Sequence, residues 1–376
     1  MSPTATPNAA GKAKAWQAVN PHRVSSFKAL SAGALLLFVL VIISVMMGPR
    51  GATVSAANVF RSLMDHLPIL HLIPHTPAIP EADTIVWQFR LPRALVAMMI
   101  GALLGYAGVA LQGLLMNPLA DPYTVGVSSG AAVGAALAET LGLGALFIHW
   151  GFSPFAADFA GVGMAFAMAI GAVTVVYTVA RVAGRVSVHT FLLAGVVVGT
   201  FLWSMIPLLM VLANRSKDLE RIMFYLIGSL QGADWARVGL LFPFVIVSAF
   251  FLRNSAQDLN LMTLGEESAA HLGVEIEPLK RRILLISSLA TAAAVSVGGI
   301  IAFVGLVVPH LARRLVGPDH RALLPLSALF GAALLLISDT LVRAPFGDGL
   351  PVGVVTSLVG APAFCWLLRR RRAVAW

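Results

Sequence analysis

Long apolar runs alternate with short polar connections along nearly the whole chain. Strong apolar segments lie near 30–47, 92–115, 124–147, 157–180, 188–213, 235–252, 283–312, 322–341 and 351–368. Most approach the roughly 20 residues that carry a helix across a hydrocarbon core of about 30 Å. In lipid every peptide group needs an internal partner, so runs of this kind predict helices. The pattern therefore predicts an all-α polytopic membrane protein, with one transmembrane domain over 28–372 preceded by a basic tail over 1–27.

Charge at the segment ends sets the topology. Lys12, Lys14, Arg23 and Lys28 precede the first segment, and Arg369, Arg370, Arg371 and Arg372 follow the last. Excess Lys and Arg marks the cytoplasmic side, which places both termini there. Two ends on one side require an even number of crossings, so nine segments are one too few. The segment 283–312 resolves the parity. It contains no charged residue, yet Lys280, Arg281, Arg282 precede it and Arg313, Arg314 follow it. Gly298-Gly299 near its middle offers a break. Two full spans need about 40 residues, so one arm, near 299–312, is short or re-entrant. Its loose backbone groups must then be buried in protein or face a wet cavity. The expectation is ten transmembrane helices. Lys and Arg then divide roughly two to one in favour of the cytoplasmic loops. The outer minority includes Arg90, Arg93, Arg215, Lys217, Arg221 and Arg343.

Composition agrees. Hydrophobic residues make up 58% and charged residues 11%, where a soluble chain carries about 25% charged. The net charge of +9 follows from membrane orientation and does not indicate nucleic acid. The single cysteine, Cys365, excludes an internal disulfide or a cysteine-rich metal site. The pairs Gly101/Gly105, Gly130/Gly134 and Gly195/Gly199 each set two glycines on one helix face, where a neighbouring backbone can approach closely.

Several chemistries are missing. There is no Gly-x-x-x-x-Gly-Lys-Ser/Thr loop to cradle a nucleotide, and no His-Glu-x-x-His metal motif. Buried carboxylates that could relay an ion are nearly absent, Asp339 and Glu139 lying only at segment edges. A carrier of this composition must draw its energy from another protein. The competing reading is a stand-alone secondary carrier or channel.

Motifs decide between them. Arg90-Leu-Pro-Arg93 leads into a glycine-rich span that ends at Gln112 and Asn117-Pro-Leu-Ala-Asp-Pro122. Gly126-Val-Ser-Ser-Gly130 opens the next span. Further along stand Leu193-Ala-Gly195, Gly228-Ser-Leu230, Leu264-Gly-Glu266, Val304-Gly-Leu-Val-Val-Pro-His310, Leu350-Pro-Val-Gly-Val354 and Gly360-Ala-Pro-Ala-Phe364. In this order they resemble the permease subunit of ABC importers for iron-siderophores, haem and vitamin B12. The resemblance covers nearly everything after residue 86.

That resemblance implies a type II importer permease fold, with residues 28–372 as one permease domain and a cytoplasmic coupling loop about 253–282. It implies a non-catalytic subunit with no cofactor of its own, ATP and Mg being bound by the partner ATPase. The expected partners are a second copy of the chain, two cytoplasmic ATPase subunits and a periplasmic substrate-binding protein, in the bacterial inner membrane. ATPase coupling would fall to Leu264, Gly265, Glu266, Ala269, Leu272 and Gly273, on two short helices broken at Gly265. Arg90, Arg93 and Arg343 would dock the binding protein, since guanidinium grips carboxylates through paired hydrogen bonds. Val188 and His189 would form a cytoplasmic gate. Gln112, Asn117, Asp121 and His310 read as structural. No metal site is expected. Among substrates, haem comes first, because imidazole suits haem iron and the long outer loop 48–89 carries His66, His71 and His75. Ferric siderophore is second and cobalamin third.

Overall fold

The protein's computed structural model describes residues 25–49, 52–66, 76–182, 185–213, 216–347 and 349–370. Most of the tail 1–27, together with His71, His75 and Arg215, lies outside them. The helices are α1 (Ser26–Met46), α2 (Ala56–His66), α3 (Pro80–Leu114), α4 (Val127–Thr140), α5 (Leu143–His149), α6 (Pro154–Ala180), α7 (Val188–Leu212) and α8 (Ser216–Ile227). They continue with α9 (Trp235–Asn254), α10 (Ala256–Met262), α11 (Glu266–His271), α12 (Ile276–Gly298), α13 (Val304–Val316), α14 (His320–Phe346) and α15 (Val352–Arg370). A two-residue antiparallel hairpin, β1 (Arg181–Val182) with β2 (Arg185–Val186), joins α6 to α7.

Among the described residues, seven helices are long and apolar enough to cross a membrane: α1, α3, α6, α7, α9, α12 and α14. They become eight if α4 and α5, bent by 50° at their junction, form one span. The apolar stretch of α15 (Val352–Trp366) and the short α13 fall below that length. Helix length by itself therefore does not give ten crossings. The expected interruption of 283–312 is present: α12 stops at Gly298 and α13 starts at Val304. At 13 residues α13 is about 20 Å long, too short for a full crossing.

Burial separates an inner set of helices from an outer one. About 72% of the apolar window is buried in α3, α12 and α14, against 22% in α1, α6 and α7 and 17% in α9. The inner helices touch through glycine. A Cβ at Gly101 would collide with the Gly331 carbonyl of α14, and one at Gly105 with that of Ser327. Cβ atoms at Gly130 and Gly134 would come 2.6 and 2.5 Å from the Met168 and Met164 carbonyls of α6. At the third pair only Gly195 is a close approach, 2.5 Å from the Thr124 carbonyl; Gly199 makes an ordinary contact.

Two local irregularities follow from composition. Pro92 has no N–H for the carbonyl of Gln88 and its ring crowds that oxygen, so the helix widens into a π turn over Ile85–Arg90. The second is the break at 299–303, which is fully knitted in. Ser229 N–H donates to the Gly298 carbonyl at 2.9 Å, and Ile300 N–H to the Tyr225 carbonyl at 3.1 Å. Gly353 N–H donates to the Gly228 carbonyl at 3.1 Å. The Tyr123 hydroxyl donates to the Ile301 carbonyl at 2.7 Å and accepts from Ile301 N–H at 3.1 Å. Three motifs that are distant in sequence thus meet, with glycine where the backbones touch. A Cβ at Gly299 would strike the Tyr225 carbonyl, and one at Gly353 the Ile227 carbonyl. This is the protein burial that a broken span demands.

Candidate functional site

Contacts between loops define two ends of the bundle. One end gathers 112–122, the β hairpin, α10, α11 and 317–320; the other gathers 44–54, the start of α3 and the end of α14.

At the first end, the break expected at Gly265 separates α10 from α11, and Gly265 takes a φ of 97° that side chains disfavour. Gly273 closes the unit at a φ of 92°. Leu264 and Leu272 are 60% and 58% exposed, so two apolar knobs project from a charged end. Ala269 lies on the opposite face and is fully buried. Glu266 is half-buried and pairs with Lys280 at 2.8 Å.

Polar clamps that the sequence reading missed hold this unit. The Asn260 amide donates to Asp319 at 2.7 Å and accepts from His320 N–H at 2.9 Å. Arg321 donates to Gln257 at 2.8 Å. Burial would raise the Asp319 carboxyl. The Arg321 N–H and Asn260 hydrogen bonds, with the nearby Arg321 and His320 charges, bring it below the usual range. α10 is thereby fixed to the start of α14. An i,i+3 Glu277/Lys280 pair was the visible signal for the other clamp, masked by the basic run of which Lys280 is the first member.

Val188 and His189 open α7 directly after the hairpin. Ser187 caps the helix by accepting from Thr190 N–H at 3.4 Å. Val188 is half-buried against the core and His189 is exposed. Gln112 behaves as expected, with its amide 3.4 Å from the Gly305 carbonyl and its oxygen accepting from Arg313 at 3.4 Å. Asn117 and Asp121 fix turns by accepting from Leu119 and Tyr123 N–H. Burial pushes the Asp121 carboxyl up to about 6, against that Tyr123 hydrogen bond. His310 is buried within α13.

At the far end the three arginines do come together, lining an open cavity with Gln88, Asp234 and Arg237 while their guanidinium groups bond within the chain. Arg90 is 6% exposed and donates to the carbonyls of Val45 and Met46, at 2.9 and 2.8 Å, and of Ala52 at 3.1 Å. Arg343, 4% exposed, donates to the carbonyls of Met47 and Ser44, both at 2.6 Å. Arg93 pairs with Asp339 at 2.9 Å, and Asp339 is 1% exposed. A helix end has carbonyls without intrahelical partners, and here guanidinium groups satisfy those of α1. The docking role expected of Arg90, Arg93 and Arg343 would require them to exchange these bonds for a partner's carboxylates, Arg93 being the most exposed of the three at 14%. Arg221, at the same end, is 70% exposed and 3.2 Å from Glu139.

His66 is also engaged. Its ring stacks on Trp87, with centroids 4.1 Å apart, and its Nδ1 lies 3.0 Å from the Ser62 carbonyl. Trp87 in turn contacts Trp235, whose indole N–H donates to the Trp87 carbonyl at 2.8 Å. Aromatic rings of this kind favour a membrane interface. Among the described residues, no group of three or more His, Cys, Asp or Glu could hold a metal.

Comparison with known proteins adds to this geometry. The FecCD transport family pattern matches residues 36–370. The cobalamin import system permease protein BtuC of Halobacterium salinarum is 43% identical over 310 residues, covering 82% of this chain and 80% of that protein. The hemin transport system permease protein HmuU of Yersinia pestis is 37% identical over 289 residues, covering 76% and 84%. A solved inward-facing structure of a metal-chelate type ABC transporter superposes with a TM-score of 0.76 at 29% identity, covering 91% of this chain and 99% of that one.

Proposed function

Because this chain belongs to the FecCD transport family, we propose that it is the membrane-spanning, non-catalytic subunit of an ATP-driven importer. Energy comes from separate ATPase subunits, and the cargo is delivered by a soluble binding protein. The observation that carries this reading is the α10–α11 unit. It presents two exposed leucines on a scaffold clamped to α12 and α14, a surface shaped to receive force. A stand-alone carrier has no use for it, and membrane-buried acids for an ion relay are scarce.

In this reading α13 and α15 are short crossings that complete ten, with both termini and α10–α11 in the cytoplasm. Two copies enclose the pathway, and Val188 and His189 narrow its cytoplasmic mouth. Leu264, Gly265, Glu266, Leu272 and Gly273 form the coupling surface, which Ala269 supports from beneath. Docking of the binding protein centres on the exposed far-end residues around Arg221, while Arg90, Arg93 and Arg343 hold the scaffold.

The cargo is a bulky metal chelate. The case for haem rested on outer histidines, and His66 is occupied by Trp87 and Ser62. With relatives named for cobalamin and for hemin at 43% and 37% identity, cobalamin stands level with haem. The test is uptake of radiolabelled cobalamin and haemin into ATP-loaded proteoliposomes holding the permease with and without its ATPase and binding protein. Uptake should need all three components. Accumulation by the permease alone refutes the importer reading.

A further inference from the structure

We propose that Lys280 is a positioning residue that transmits displacement of α11 to the start of α7, linking the coupling surface to the gate; this rests on the importer reading above. Lys280 lies in the first turns of α12, and its side chain is 5% exposed. Its ammonium has three donors and no acceptor, and three acceptors surround it. They are the Glu266 carboxylate of α11 at 2.8 Å, the Glu277 carboxylate at 3.3 Å and the Val186 carbonyl of β2 at 3.2 Å. Glu277 reaches the same strand residue from the other side, accepting from Val186 N–H at 3.0 Å. Glu277 and Lys280 thus hold both polar groups of a single peptide residue. Beyond Val186 only Ser187 remains before α7 begins at Val188.

The linkage is short and directional. A buried ammonium is costly unless each donor is satisfied, so Lys280 cannot relax away when Glu266 shifts. It must either follow Glu266 or lose a charge-assisted hydrogen bond. Apolar contacts beneath, where Val186, Ala269, Leu279 and Ile283 share one core cluster, keep the parts together but do not fix direction. The charged joint fixes direction. A neutral side chain of similar length keeps the packing and removes the linkage.

The test uses the full assembly in proteoliposomes with Lys280→Met, Glu277→Met, their combination and Lys280→Arg. The expected result is folded permease, normal ATPase co-purification, ATP hydrolysis within about twofold of the parent, and transport per ATP lowered at least fivefold. The double variant should be no worse than either single one, since both cut one chain of contacts. Lys280→Arg should restore at least half of the coupling. Transport per ATP within twofold of the parent in assembled Lys280→Met overturns the proposal. Should that variant fail to assemble, the same result in Glu277→Met overturns it. A second readout does not depend on cargo: a spin label at His189→Cys on a Cys365→Ser background. ATP should move the label in the parent and leave it unmoved in Lys280→Met; equal movement in both overturns the proposal. A parent that binds its ATPase yet never accumulates cargo refutes the importer reading instead.

Discussion

Replacing Asp339 by alanine should destabilise the fold and leave transport chemistry untouched in the surviving protein. The carboxylate sits between Arg93 at 2.9 Å and Arg343 at 3.6 Å, and their side chains are 1%, 14% and 5% exposed. At an effective dielectric near 20, a unit-charge pair at about 4 Å is worth about 4 kcal/mol. Removing one partner of a buried pair costs about 3–5 kcal/mol, because the remaining charge is stranded. For a chain of this size that corresponds to a melting shift of roughly 4–6 °C. The assay is thermal loss of the monodisperse peak in detergent, monitored by tryptophan fluorescence. Arg93→Met with Asp339→Leu should recover part of the loss, because the cation departs with its anion while Arg343 keeps its bonds to the Ser44 and Met47 carbonyls. Added salt should change little, since the pair is shielded from solvent. A melting temperature for Asp339→Ala within 2 °C of the parent refutes the reasoning, as does a double variant at least as unstable as the sum of the single ones.

Other outcomes follow from the same geometry. Leu264→Asp with Leu272→Asp should leave a folded permease that no longer retains its ATPase on co-purification, whereas Glu266→Lys should also lower stability by facing Lys280; equal melting of Glu266→Lys and parent counts against the latter. Gly353→Ala should sharply reduce folded yield in fluorescence-detected gel filtration, while Gly239→Ala, with open space around it, should not. The raised Asp121 pKa means that its contribution to stability is complete below the usual carboxylate range and is lost as pH rises through about 6. Asp121→Asn, which can still cap the turn, should therefore melt higher than the parent above pH 6 and equal it near pH 4; a pH-independent difference would contradict this.

What the sequence disclosed, and what it concealed, has a physical basis. Gly298-Gly299, Gly265 and the paired glycines are local signals, and all but Gly199 lie at a break or a close contact. The outer arginines were visible as exceptions to the charge rule, but their partners were not. Arg93 meets Asp339 across 246 positions, and the α1 carbonyls that hold Arg90 carry no side-chain signature. Charge at a membrane edge looks the same whether it faces water or caps a helix end. α2 escaped notice because an amphipathic surface helix lacks the unbroken apolar run that betrays a span. Lys280 was counted with Arg281 and Arg282, although only one of the three is turned inward.

The junction of Gly228, Gly299 and Gly353 carries a consequence for biogenesis. The Gly228 carbonyl is synthesised well before Gly353, whose N–H it accepts, so for that interval the nascent chain must shelter it elsewhere. A ribosome stalled before residue 353 should release an integrated but incomplete polypeptide, marked for membrane proteases by that unsealed seam.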